Sequence, residues 1–84
     1  MDIFILCTYS EGGRFVQAAT TDPTTAGENH ERLLGGLVAD GWHVGRSQLR
    51  DLNDGTEGVA LSSVVHLSND AGRWLNVEEY HTTE

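Results

Sequence analysis

The chain contains no lysine: its five basic residues are all arginines, set against thirteen acids for a formal net charge of −8. Attraction to DNA, RNA or anionic lipid rests on basic patches, so direct nucleic-acid or membrane-surface binding is disfavoured. A basic protein surface, or a protein site that normally holds nucleic acid, is attracted instead. The missing lysines read either as a high-GC coding bias or as a salt-adapted acidic surface. Cysteine is almost absent as well. The single Cys7 precludes an internal disulfide, and its place in an apolar run marks it as a small core hydrophobe. Long apolar runs are also missing. The longest, Ile3 to Cys7, is far short of the roughly 20 residues that span a bilayer. No basic segment precedes it, so no secretory signal is expected and the expectation is a soluble cytoplasmic protein.

What is present fits one small domain over residues 1–84. A chain of this length buries only about 60–65% of the surface its unfolded state exposes, which leaves a thin core and makes dimerisation an open option. Apolar residues make up 38%, gathered in blocks rather than diluted throughout, which argues against disorder.

"DIFILCTYS" is apolar on both faces, with Ile3, Ile5, Cys7 and Tyr9 on one and Phe4 and Leu6 on the other, as in a central strand. "EGG" offers Gly12-Gly13 as a two-residue turn, and "RFVQAAT" returns as a second strand with Tyr9 facing Val16 and Cys7 facing Ala18. The period then changes. Thr25-Ala26-Gly27-Glu28 fits a capping box, and Leu33, Leu34, Leu37 and Val38 form one apolar stripe of a helix. Gly35 and Gly36 weaken that helix by about 1 kcal/mol each, which close approach of its backbone to a sheet would explain. Gly41 stands where a left-handed residue ends a helix, and Trp42 follows at the position that packs back on the last turn. "WHVGRSQLRDL" and "GVALSSVVHL" flank Asp54-Gly55, a hairpin signal. Centring the turn there pairs Trp42 with Leu67, Val44 with Val65 and His43 with His66. Arg73 to Tyr80 reads as a fifth strand in preference to a short helix, with Trp74 and Tyr80 on one side and Leu75 and Val77 on the other. The fold expected is α+β: an antiparallel sheet of four to five strands, ordered β-β-α-β-β with the further strand last, and one helix packed on one face.

Leu34-x-x-Leu37-x-Ala39-Asp40-Gly41-Trp42-x-Val44 resembles the hallmark of a family of short bacterial and phage ββαββ domains, whose pattern runs Leu-x-x-Leu-Gly-x-x-Gly-Trp-x-hydrophobic between two hairpins. Val38 stands where that family tends to have glycine. The resemblance covers about half the chain and implies a fold, with no activity and no catalytic residues.

Candidate chemistry is sparse. His43 and His66, if opposed, could share a metal or respond to pH, but no third His or Cys completes a zinc set at a recognisable spacing. "DLNDGTEG" has the acids and amides of a calcium loop without the spacing or the bidentate Glu. "EGGR" lacks the lysine of a phosphate loop, and Ser62 and Ser63 lie mid-strand without a nucleophile elbow. Neither a catalytic set nor a cofactor site is expected. The partner-binding candidates are an acidic set, Asp51, Asp54, Glu57, Glu78 and Glu79, and an aromatic pair, Trp74 and Tyr80, which an edge strand would expose. Two functions stay open. One is a small acidic, non-enzymatic protein-interaction module, with homodimerisation through an edge strand an option. The other is a phage- or mobile-element-encoded inhibitor of the anti-CRISPR or anti-nuclease type, whose carboxylates occupy a nucleic-acid-binding site of a host protein.

Overall fold

The computed structural model describes residues 2–53 and 59–83. Five strands and one helix follow in the order β1 (Asp2–Ser10), β2 (Gly13–Thr20), α1 (Pro23–Ala39), β3 (His43–Asn53), β4 (Val59–Ser68) and β5 (Trp74–Thr83). The strands form one antiparallel sheet in the spatial order β2-β1-β5-β4-β3. The expected fifth strand is therefore present, but it is the middle of the sheet and not an edge. β1, apolar on both faces, has a neighbour on each side, β2 and β5. The edges fall to β2 and β3.

Both hairpins are offset from the registers the sequence suggests. In the first, Ser10 pairs with Gly13, so Glu11-Gly12 is the turn and Tyr9 faces Arg14 while Cys7 faces Val16. Gly13 alone in this hairpin takes a positive φ, +109°. A left-handed glycine closing a turn of negative-φ residues satisfies the strand twist as well as two positive-φ glycines do. An extra residue, Gln17, then bulges between the pairs Cys7–Val16 and Leu6–Ala18. In the second hairpin Val44 pairs with Leu67 and His43 with Ser68, so His43 and His66 are not directly opposed. Gly45 and Arg46 lie together between the pairs Val44–Leu67 and Ser47–Val65, a bulge against His66. A Cβ at Gly45 would stand 3.2 Å from the His66 carbonyl oxygen, which explains the glycine. The Asp54-Gly55 turn lies outside the described residues.

The helix starts earlier than the capping-box spacing indicates. Asp22 is the N-cap: one carboxylate oxygen accepts from the Thr24 amide at 3.1 Å, the other from the Thr25 hydroxyl at 2.8 Å, and Pro23 occupies the first turn, where no amide is needed. At the other end the expected stop is seen in full. Gly41 has φ +97°, its amide donates to the Val38 carbonyl, and the Trp42 amide donates to the Leu37 carbonyl, both at 3.1 Å. Trp42, half-buried, packs with Leu33, Leu34 and Leu37 against a cluster of Leu6, Val65, Leu67 and Val77. Leu67 and Val77 are completely enclosed. Val38 is not part of this stripe and is 51% exposed, because it sits about 100° round the helix from Leu37. Ala26 takes the buried position nearer the N-terminus. Gly35 and Gly36 also differ from expectation: a Cβ at either meets nothing within 4 Å, so no close approach to the sheet accounts for them.

Two outcomes follow for stability. Leu67→Ala should cost about 2–5 kcal/mol in urea unfolding, the range for emptying a tightly packed leucine site. Asp22 has its carboxyl held below the ordinary 3.8, first by the Thr25 hydroxyl and then by the Thr24 amide. A depressed folded-state value contributes stability above pH 3.8 that is lost as pH falls through the lower value. Asp22→Ala should accordingly melt below the wild type at neutral pH, and the two melting curves should converge in acid.

Candidate functional site

The helix covers one face of the sheet, and among the described residues no element covers the other. Strand alternation assigns Phe4, Leu6, Ala18, Val65, Leu67 and Val77 to the helix side. Ile3, Ile5, Cys7 and Tyr9 of β1 point the other way. The pairings place beside them Val16 and Ala19 from β2, Trp74 and Tyr80 from β5, and Leu61 and Val64 from β4. The same pairings put Asn76, Thr82, His66, Ser68 and His43 on this face too, so its apolar content, high for a solvated antiparallel face, is interrupted by polar residues along β4 and β5. Val16 is 66% exposed, while most of the remainder are half-buried among themselves.

One charged pair sits in this face. Glu78, only 6% exposed, accepts from Arg14 Nε at 2.7 Å and from a terminal guanidinium nitrogen at 3.4 Å. The Arg14 guanidinium carbon lies 4.6 Å from the centre of the Tyr9 ring and 5.8 Å from that of Tyr80. Tyr9 in turn meets Trp74 edge-on at 5.5 Å. The β1–β2 pair Tyr9–Arg14 and the β1–β5 pairs Cys7–Glu78 and Ile5–Tyr80 bring these groups together. Burial, and secondarily the neighbouring Glu78, push the Cys7 thiol and the Tyr80 hydroxyl up from their ordinary values. A thiol so shifted is poorly nucleophilic at neutral pH.

The sequence candidates are dispersed rather than assembled. Trp74 and Tyr80 do share a face, in the middle of the sheet rather than at its edge. Glu78 and Glu79 do not join an exposed acidic patch: Glu78 is buried in its ion pair on the outer face, and Glu79, one residue on, points to the helix side. A strand's alternation forbids adjacent residues from sharing a face. Asp51 lies in β3, while Asp54 and Glu57 lie outside the described residues. His43 Nε2 is 3.1 Å from Asp70 Oδ1, and His66 Nδ1 is 2.7 Å from Asn76 Oδ1, so each ring has its own polar neighbour. No group of three or more His, Cys, Asp or Glu positioned for a metal occurs among the described residues. The Ser62 hydroxyl donates to the Glu79 carbonyl at 2.9 Å. Among the described residues no helix is long and apolar enough to cross a membrane. The role of Arg14 escapes sequence reading, because the register that sets it against Tyr9 depends on the two-residue turn at Glu11-Gly12. Comparison with protein-family models, curated proteins and solved structures finds no match.

Removing one member of a buried ion pair costs about 3–5 kcal/mol. The Arg14 side chain is 48% exposed and solvent screens part of that loss. Arg14→Met should therefore destabilise by about 2 kcal/mol in urea titration, and the double variant Arg14→Met, Glu78→Met should recover most of it.

Proposed function

We propose that this chain is a small non-enzymatic protein-interaction module. It docks through the helix-free face of its sheet onto a protein that presents an apolar patch in basic surroundings. The observation that carries this reading is the segregation of charge. In a chain of net charge −8, the carboxylate that the pairings of β1, β2, β4 and β5 place on this face is Glu78, and Arg14 neutralises it. Around that pair lie Ile3, Ile5, Tyr9, Val16, Leu61, Val64, Trp74 and Tyr80, drawn from four adjacent strands. A contiguous apolar surface is costly in water and marks an interaction site. The Arg14–Glu78 pair fixes the aromatic rings in place before any partner arrives, which lowers the entropy lost on docking.

The net charge supplies the second half of the recognition. A field of this sign speeds encounter with a basic protein and penalises an acidic one. If the basic surroundings belong to a nucleic-acid-binding site, the same docking makes the chain an inhibitor, and competition with an oligonucleotide tells the two cases apart.

The test uses the immobilised chain and an extract of the native host, with two variants on the face and one on the helix. Val64 is half-buried and pairs with Glu78, so a melting curve of Val64→Arg accompanies the binding test. Wild type should retain a stoichiometric protein that Val64→Arg and Ile5→Arg release, that Glu31→Gln on the exposed side of the helix still binds, and that raised salt weakens. A protein held equally by wild type and Val64→Arg overturns the assignment of the face.

A further inference from the structure

A second surface lies at the β2 edge of the sheet, where three observations coincide. First, this edge strand carries exposed apolar side chains on both faces. Phe15, 57% exposed, is on the helix side, and Val16, 66% exposed, is on the other. Edge strands are ordinarily blunted by charge or proline, because their free amides and carbonyls pair readily with another strand. Gly13–Thr20 has neither a carboxylate nor a proline; its one charge, Arg14, is taken up by Glu78, and its bulge at Gln17 leaves Gly13–Val16 regular. Second, a groove of about 610 Å³ opens along the same edge between β2 and α1. Leu6, Ala18, Leu33 and Leu37 contribute to its apolar walls, and Gln17 and Arg32 stand on its rim. Third, the groove is kept open by an absence. Gly36 lines it and a Cβ there would meet nothing, although glycine at a helix interior is unfavourable.

We infer that the occupant is a second copy of this chain. β2 of each copy pairs antiparallel with β2 of the other, extending the sheet across the junction, and each Phe15 enters the groove of the other copy. A two-fold axis perpendicular to the sheet keeps both helices on one side, the side on which Phe15 and the groove lie. A pairing centred on Val16 sets Phe15 opposite Gln17 of the other copy, and Gln17 is at the groove mouth. The exposed ring and the unfilled groove are thus complementary parts of one self-matching surface, as a two-fold interface requires. Charge does not bar this edge: two chains of −8 repel each other, but the strand carries no acid, and in the groove Arg32 stands against the one carboxylate, Asp40. The inference goes beyond the docking face and does not depend on it: the face stays free on the far side of the extended sheet.

The experiment is light scattering and sedimentation of the full chain over a concentration series. A mass of twice 9.2 kDa is expected, with the association tightening as salt rises because like charges are screened. A basic heterologous partner would show the opposite salt trend. Gly36→Met fills the groove while improving helix propensity, so it should weaken the dimer at least tenfold without lowering the melting temperature of dilute, monomeric protein. Phe15→Glu should do the same through the edge. Gly35→Ala, a neighbouring helix substitution outside the groove, and Val64→Arg, on the sheet face, should leave the dimer constant unchanged. Amide exchange in β2 should slow with concentration. A mass of 9.2 kDa throughout the series overturns the inference. So does a dimer indifferent to both Gly36→Met and Phe15→Glu, or one abolished by Val64→Arg alone.

Discussion

Antiparallel hydrogen bonding of β5 to β1 on one side and to β4 on the other is the constraint on which the rest of the molecule hangs. Without it the chain is two separate hairpins joined by a helix, and an isolated hairpin is at best marginally stable. With it, Val77 is enclosed between Leu6 and Val65, the helix has a surface to lie on, and Glu78 arrives opposite Cys7 with Arg14 within reach. The same strand places Trp74 and Tyr80 at the centre of the outer face, where they pack with Tyr9 and the Arg14 guanidinium. Fold and candidate interface are therefore consequences of one pairing.

The two surfaces of interest differ in how they arise. The outer face is apolar because β1 and β4 alternate between two sets of apolar residues, of which the helix can cover only one. The groove at β2 arises from the helix itself, where Gly36 leaves part of the sheet edge uncapped. The ion pair belongs to the first surface and shows why its single buried acid is tolerable: the carboxylate is held by a bidentate contact to a guanidinium that two rings already flank. Its neutralisation leaves no unpaired acid among the outer-face residues that the pairings assign in β1, β2, β4 and β5.

Much of the architecture is legible in the residues. The change from alternation to helical spacing and back, and the stop at Asp40-Gly41-Trp42, locate every element to within a few positions, because these signals are local. Register is a different matter. Bulges at Gln17 and at Gly45-Arg46 add a residue on one strand only, and a period of two counted along a single strand has no means of registering them. The expectation that His43 faces His66 fails because Asn53 already pairs with Ala60, which a hairpin centred on Asp54-Gly55 does not allow, and the extra residues of β3 bring the register only partway back. The helix start is missed because Asp22-Pro23 and Thr25–Glu28 are both credible caps and the later one matches a longer motif. Gly35 and Gly36 invite a packing explanation that the open space around them removes. The acidic cluster is misjudged at Glu78 because a count of charges along the chain does not see that Arg14, 64 positions away, folds over it.

The position of β5 also sets the order in which the molecule can be assembled. A strand that comes last of the five yet lies third in the sheet has one neighbour close in sequence, β4, and one at the far end of the chain, β1. During synthesis the β1–β2 hairpin waits with one edge unpaired through the emergence of the helix and two further strands. Closing the sheet thus requires the last strand to pair with the first, from Tyr9–Asn76 to Asp2–Thr83, long-range contacts of the kind that slow folding.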